Sequence, residues 1–143
     1  MSGYSIWYLL RPNHPMHKQI AQINKKLGSK TLPAHIPVLN NLKLLETAIG
    51  LFEAYDKKEM PTFRIPKRPH VFRSEKFKNL SLPLRTENSV WELPIAKRTD
   101  MFYNDEIRNI TFKEGFILPE EYELVIMDCR TRDSDHWKLF NGR

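Results

Sequence analysis

Histidines are the residues of this sequence best suited to acid–base chemistry, because imidazole titrates near neutral pH. They lie at His14, His17, His35, His70 and His136. His35 belongs to the short apolar run 34–39, where strand alternation places it on one face with Pro37 and with Leu39. A polar ring on a packing strand requires a hydrogen bond or a ligand. His35 is therefore either a half-buried structural histidine or a site residue.

His70 lies in the most basic segment of the chain. Residues 64–78 contain six Lys/Arg and one Glu, interleaved with aromatic residues. This pattern suits contacts with phosphates and nucleic-acid bases, although a solvated hairpin has the same composition. The formal net charge of +6 is concentrated in the middle of the chain, where residues 61–98 contain nine Lys/Arg and three Asp/Glu. A polyanionic partner is compatible with this charge.

Several classes of protein are excluded by composition and motifs. The chain has 143 residues, of which 41% are hydrophobic and 28% charged, and these values predict one globular domain over residues 1–143. One cysteine, Cys129, excludes a disulfide framework and a Cys-rich zinc site, and favours an intracellular, cytoplasmic or nuclear location. No apolar run approaches the ~20 residues of a membrane span, so we expect no membrane partner. Glycine-rich phosphate loops, His-Glu-x-x-His helices and Gly-x-Ser-x-Gly elbows are absent.

The elements that must position these residues follow from hydrophobic periodicity. It predicts a strand over Ser5–Leu10, followed by a helix from Met16 to Leu27 that is capped by Asn13 and ended by Gly28. A strand over Ala34–Leu39 and a helix over Leu42–Lys58 come next. The rest of the chain is mostly strands, which include Asn109–Phe112, Tyr122–Met127 and His136–Phe140. Pro37 has no amide hydrogen, so its strand should have a free edge or a bulge there. The order predicts an α+β fold, with two helices on a mainly antiparallel sheet.

Several segments, read in this order, resemble the two-histidine phosphoesterase superfamily, in particular its compact cyclic phosphodiesterase branch. They are Ser5-Ile-Trp-Tyr-Leu-Leu10, Ala34-His-Ile-Pro-Val-Leu39, Val71-Phe-Arg73, Leu80-Ser-Leu-Pro-Leu84, Glu123–Arg130 and Asp135-His-Trp-Lys138. The resemblance implies a two-histidine phosphoesterase-like fold that acts on 2′,3′-cyclic phosphate nucleotides or RNA ends without a metal or organic cofactor. It also implies that His35 is one acid–base group.

The family's motifs are altered at two places in this chain. Pro37 replaces the Thr or Ser whose hydroxyl binds phosphate in the first motif. The second motif aligns with 97–103, which places Arg98 at the histidine position and Asp100 at the hydroxyl position. Arginine stays protonated, so Arg98 would be a phosphate clamp and not an acid–base group. A competing alignment with 79–82 restores the hydroxyl at Ser81 but leaves Asn79 in place of the histidine.

Three functions follow from this resemblance. The first is a phosphodiesterase, in which His35 works with a relocated partner, His70 or Asp100, while Tyr103 and Trp7 contact the base. The second is a module that binds RNA or phosphate in the same cleft without catalysis. The third is a protein-interaction domain that presents the segment 89–94.

Overall fold

The computed structural model describes residues 3–73, 78–98, 109–131 and 133–140. Its two α-helices are α1 (Pro15–Leu27) and α2 (Leu45–Asp56). Its strands are β1 (Tyr4–Leu10), β2 (His35–Leu42), β3 (Phe63–Ile65), β4 (His70–Arg73), β5 (Lys78–Arg85), β6 (Val90–Arg98), β7 (Gly115–Ile117), β8 (Tyr122–Asp128) and β9 (Lys138–Leu139). Short 3₁₀ turns occupy Pro119–Glu121 and Ser134–His136. The predicted α+β class is confirmed.

The strands form two antiparallel sheets. The first sheet has the order β2-β1-β8-β9. In the second sheet, β6 runs along the length of β5, while β4 and β3 pair with opposite ends of β5 and β7 pairs with β3. β2 pairs with β1 alone, so Pro37 lies on an edge strand, as its missing amide hydrogen predicts.

α1 forms where the periodicity predicts it, and its apolar positions Met16, Ile20, Ile23 and Leu27 are buried. The cap prediction was wrong. The Nδ1 atom of His14, and not the Asn13 side chain, accepts the Met16 amide hydrogen at 3.1 Å. An imidazole nitrogen with a free lone pair satisfies a free amide of the first turn as a carbonyl oxygen would. Gly28 ends the helix in the left-handed conformation, with φ of 68°.

α2 begins at Leu45, three residues later than predicted, because the preceding strand is longer. Leu42 pairs with Tyr4 in the β1–β2 ladder and so belongs to the strand, although the register shifts between Leu39 and Leu42. Asn41 adopts a φ of 60° within this stretch. Strand pairing therefore overrides the helical spacing that begins at Leu42.

Of two strands predicted near the end of the chain, the one over 109–112 is absent and the one over 136–140 is shorter than predicted. Residues 109–114 have no regular structure, and β7 follows them at 115–117, where it pairs with β3. Phe112 is instead a single buried anchor, and its amide donates to the Lys67 carbonyl at 2.8 Å. His136 ends a 3₁₀ turn, so the last strand contains only two residues.

The two helices cover one face of each sheet. α1 packs against β6 of the second sheet, and its apolar residues share the largest apolar cluster with Leu80, Leu82 and Leu84 of β5. α2 packs Ala48 and Phe52 on β1 and β8 of the first sheet. Within the described residues, neither helix is long and apolar enough to cross a membrane. The helices leave the opposite sheet faces to form the walls of a cleft.

Candidate functional site

A cavity of about 390 Å³ lies between the edge strand of the first sheet and strands β5 and β6 of the second. Its size is in the range of small-molecule sites. Its lining consists of Trp7, Lys30, Leu32, His35, Pro37, Asn40, Asn79, Ser81, Glu92, Pro94, Ile95, Ala96, Lys97 and Trp137. We call this cavity the His35 cleft.

Strand alternation explains how each wall acquires its polar groups. On β5, Leu80 and Leu82 are buried in the apolar cluster that contains the apolar face of α1, so Asn79 and Ser81 point to the other face. On β2, Ile36 is buried in the same apolar cluster, so His35 and Pro37 point away from it. The polar positions of both sheets therefore meet in the cleft.

His35 is held by two contacts. Its Nδ1 atom lies 2.7 Å from the Pro33 carbonyl oxygen. Its ring stacks on Trp7, with centroids 3.8 Å apart and an interplanar angle of 24°. The residue is 3% exposed. The orientation of the imidazole is thus fixed by one hydrogen bond and one aromatic face.

These contacts determine the protonation of His35. A carbonyl oxygen only accepts, so Nδ1 carries the proton and Nε2 keeps a lone pair. Burial lowers the pKa of His35 to about 4 and outweighs the Pro33 hydrogen bond, which raises it. At neutral pH the ring is uncharged. Nε2 can accept a hydrogen bond or a proton, and it cannot donate one to an anion.

The Ser81 hydroxyl and the His35 Nε2 atom both open onto the cleft. In the described residues, three side-chain oxygens are fully buried and have no hydrogen-bond partner: Ser5 Oγ, Asn24 Oδ1 and Ser29 Oγ. Neither cleft atom belongs to that set, and no hydrogen bond to either is recorded among the described residues. Each can therefore engage a bound molecule.

His70 lies beside the cleft and is paired with Glu92, one of its lining residues. His70 stands opposite Ser81 in the β4–β5 ladder, so both side chains share one sheet face. Its Nε2 atom is 3.2 Å from a Glu92 carboxylate oxygen on β6. The side chains are 43% and 37% exposed. The His70–Glu92 pair thus spans β5 at the level of Ser81.

Two loops close the side of the cleft opposite β5. Lys30 Nζ lies 2.8 Å from Asp133 Oδ1 and joins the loop after α1 to the loop after β8. Trp137 packs edge-on against Trp7, with centroids 6.1 Å apart, and its indole nitrogen donates to the Thr131 carbonyl at 2.9 Å. These contacts place one lysine and one indole at the cleft wall.

His17 fixes the backbone that leads into His35. Its Nδ1 atom accepts the Ala34 amide hydrogen at 2.9 Å, and its Nε2 atom contacts the carbonyls of Leu10 and Arg11 at 3.0 Å. His17 therefore ties the end of β1 to the start of β2. From the sequence, His17 was expected to be a solvated or capping residue, because its actual partners are backbone atoms that are distant along the chain.

The predicted site residues are distributed unevenly. His35, Trp7 and Ser81 line one cleft, and His70 borders it. Arg98 is the last residue of β6 and pairs with Lys78, but its side chain lies outside the described part of the structure. Asp100 and Tyr103 lie outside the described residues altogether. Trp7 is 3% exposed and gives a ring face to His35. Substrate contact by Trp7, Ser81, Arg98 and Tyr103 remains a prediction, as does catalysis by His35, His70 or Asp100.

Glu92 and Trp137 are lining residues that sequence analysis missed. Glu92 shares its strand face with Pro94, and this alternation could have indicated it. Trp137 follows a turn, so only the folded chain brings it to Trp7. Trp91, within the segment proposed for protein interaction, is half-buried and packs against Tyr8 and Phe63.

The cleft is not accompanied by an evident metal centre in the described part of the chain. There, no group of three or more His, Cys, Asp and Glu side chains is placed to hold a metal ion. Comparison of the chain with protein-family models, with curated proteins and with solved structures gives no match. The cleft geometry and the sequence resemblance therefore carry the functional argument.

Proposed function

We propose that the His35 cleft binds a phosphate-bearing nucleotide, either a 2′,3′-cyclic phosphate nucleotide or an RNA end with that group. One observation carries the proposal. An unprotonated imidazole nitrogen and a serine hydroxyl from two different sheets open into the same cavity. The competing alignment, with Asn79 and Ser81 in the second motif, is favoured because both residues line this cavity.

The polarity of the groups orients the proposed ligand. His35 Nε2 is an acceptor, so the group beside it is a donor, such as a water molecule or an N–H group of the base, because a 2′,3′-cyclic phosphate leaves no free 2′- or 3′-hydroxyl. Ser81, Asn79 and Lys97 have donors that suit phosphate oxygens. The phosphate therefore lies toward β5 and β6, and the water molecule or base N–H group lies toward β2.

Binding is tested by titrating uridine 2′,3′-cyclic phosphate and following amide shifts by NMR. His35→Asn keeps a donor near the position of Nδ1 and removes Nε2, so it should weaken binding about tenfold, which corresponds to one lost hydrogen bond. Ser81→Ala should do the same. Ser29→Ala removes a sealed hydroxyl that does not line the cleft and should leave affinity unchanged. Equal affinities for all three variants would refute the proposal.

Hydrolysis is a second candidate function, favoured by the His70–Glu92 pair. Opening a cyclic phosphate requires a base that takes a proton from water and an acid that protonates the leaving ribose oxygen. His35 Nε2 suits the base, and Asn79 cannot serve as the acid. His70, held by Glu92, is the described residue that could supply this proton.

Turnover should then require both histidines. In a chromatographic assay of uridine 2′,3′-cyclic phosphate, His35→Asn and His70→Asn should each lower the rate at least 100-fold, in line with the contribution of one acid–base group. His136→Asn, which alters an exposed histidine, is the matched control. Binding without turnover in the unaltered protein would leave the binding module as the function.

A further inference from the structure

The sheet face that contains Ser81 continues beyond the His35 cleft. β5 is regular from Ser81 to Arg85, so Ser81, Pro83 and Arg85 point to the same side, while Leu82 and Leu84 are buried on the other. Four residues of strand span about 13 Å. This face, on which Glu92 of β6 lies opposite Pro83, therefore leads from the cleft to Arg85.

This surface ends in two opposed arginines and an exposed aromatic ring. Arg64 on β3 pairs in register with Arg85 on β5 and, on its other side, with Phe116 on β7. Residues paired in this way share a sheet face. Both arginines are exposed, and Phe116 is 61% exposed. We call these three residues the arginine face.

The arrangement is costly without an anion. Like charges directly opposite each other destabilise an antiparallel pair. Among the described residues, no ion pair or hydrogen bond is recorded for the Arg64 or Arg85 guanidinium. A phosphate between the two guanidinium groups would remove the repulsion and accept hydrogen bonds from both. An exposed phenylalanine beside them offers a stacking surface for a base.

We propose that the arginine face binds the single-stranded RNA that precedes an end held in the His35 cleft. Phosphates would contact Arg64 and Arg85, and one base would stack on Phe116. This inference rests on the proposed function, because continuity with the cleft sets the direction of the strand. It extends that function from a mononucleotide to an RNA chain.

The test compares two ligands on the full chain. They are uridine 2′,3′-cyclic phosphate, which fits the cleft alone, and an oligouridylate of about six nucleotides with the same terminal group, a length typical of single-strand sites. The oligonucleotide should bind at least tenfold more tightly at low salt. The double variant Arg64→Gln/Arg85→Gln should remove most of this gain and leave mononucleotide affinity unchanged.

Salt dependence and matched variants sharpen the result. Loss of two phosphate contacts should lower the slope of log affinity against log salt by about 1.4. Phe116→Ala should weaken oligonucleotide binding about 5- to 150-fold, the range for one base stacked on an aromatic ring. Arg64→Lys/Arg85→Lys, which preserves the charge, should retain most of the salt slope. Lys18→Gln/Lys25→Gln removes two exposed charges from α1, which lies on the other face of the second sheet, and should change affinity less than twofold.

The outcomes separate the two proposals. If the mononucleotide binds but the affinity for the oligonucleotide does not depend on Arg64 and Arg85, the proposal for the arginine face is overturned and the cleft function is kept. Oligonucleotide binding that depends on both arginines but not on His35, without mononucleotide binding, would support the arginine face and overturn the cleft function. Equal affinity for polyglutamate would overturn RNA as the occupant.

Discussion

His35 shows how neighbouring atoms assign a role to a titratable side chain. The Pro33 carbonyl selects the tautomer, and stacking on Trp7 fixes the ring plane. Burial then keeps the ring neutral. The imidazole is therefore suited to accept a proton or a hydrogen bond from a ligand, and it is unsuited to bind a phosphate oxygen directly.

The lowered pKa of His35 makes stability depend on pH. The pKa is about 4 in the folded chain, below the ~6.5 of a free histidine. Between these values the unfolded chain binds more protons at this residue, so the free energy of unfolding falls as the pH decreases. We expect a loss on the order of 3 kcal/mol between pH 7 and pH 4 in urea unfolding.

Two variants isolate the contribution of His35. His35→Asn should lose most of this pH dependence, because asparagine does not titrate. His136→Asn, which alters an exposed ring, should retain it. The same pH dependence in the unaltered protein and in His35→Asn would show that another group causes it.

Asn24 is a polar residue whose role is structural. It is 1% exposed, and its amide donates to the Ile95 carbonyl at 2.8 Å and to the Ile20 carbonyl at 3.0 Å. It thereby joins α1 to β6. Asn24→Ala should lower the free energy of unfolding by about 1–3 kcal/mol, because it removes the donor to a buried carbonyl.

The neighbouring exposed residue provides the control for Asn24. Gln22→Ala, on the exposed side of α1, should change the free energy of unfolding by less than about 0.5 kcal/mol. Urea denaturation of both variants measures the difference. Equal stabilities would contradict the importance of the link between Asn24 and β6.

The ends of the secondary-structure elements decide which residues enter the cleft. β2 extends to Leu42 because it stays paired with β1, but the register of this pair shifts on both sides of Leu39. The shifts bring Asn40 to the cleft face of His35 and Pro37, whereas Leu39, which alternation predicted on that face, packs in the apolar cluster of Ile6. Gly28 turns the chain after α1 and directs it toward Pro33 and His35. The end of α1 and the start of β2 therefore position the loop that contains Pro33, whose carbonyl orients the His35 imidazole.

Two glycines in or next to the helices should respond to alanine in opposite directions. Gly28 has a φ of 68°, so Gly28→Ala should cost about 1 kcal/mol. Gly50 lies inside α2, and a Cβ there meets open space, so Gly50→Ala should stabilise by roughly 0.5–1 kcal/mol. Thermal unfolding of both variants measures the signs. Stabilisation by Gly28→Ala would contradict its role as the helix terminator.

Much of the secondary structure follows from the local sequence. The spacing of Met16, Ile20, Ile23 and Leu27 defines α1, and the alternation along β5 separates its apolar and polar faces. The wrong boundaries have a common cause. Residues 40–42 and 109–112 have local patterns that fit one structure, while pairing with β1 and burial of Phe112 impose another.

At the scale of the whole molecule, the cleft exists because two sheets turn their helix-free faces toward each other. Trp137 reaches this cleft, whereas Trp91 packs in the apolar cluster beside Tyr8. A nucleotide in the cleft should therefore change the environment of Trp137 and leave that of Trp91 unaltered.

Tryptophan fluorescence during titration with uridine 2′,3′-cyclic phosphate tests this arrangement. Trp137→Phe should remove at least about half of the ligand-induced change, because Trp7, its partner in the cleft, is sealed by His35. Trp91→Phe is the matched control and should keep the change. A change that disappears only in Trp91→Phe would place the ligand outside the cleft.

The sequence by itself determined the α+β class, the core of α1, the edge position of Pro37 and the candidacy of His35, because these follow from spacing and side-chain chemistry within a few residues. Tertiary structure alone decided the neighbours of His35. The tautomer, the meeting with Ser81, the His70–Glu92 pair and the opposed arginines depend on strand register and on packing between sheets. Contacts between residues far apart in the chain are set by the free energy of the whole fold, and no local pattern specifies them.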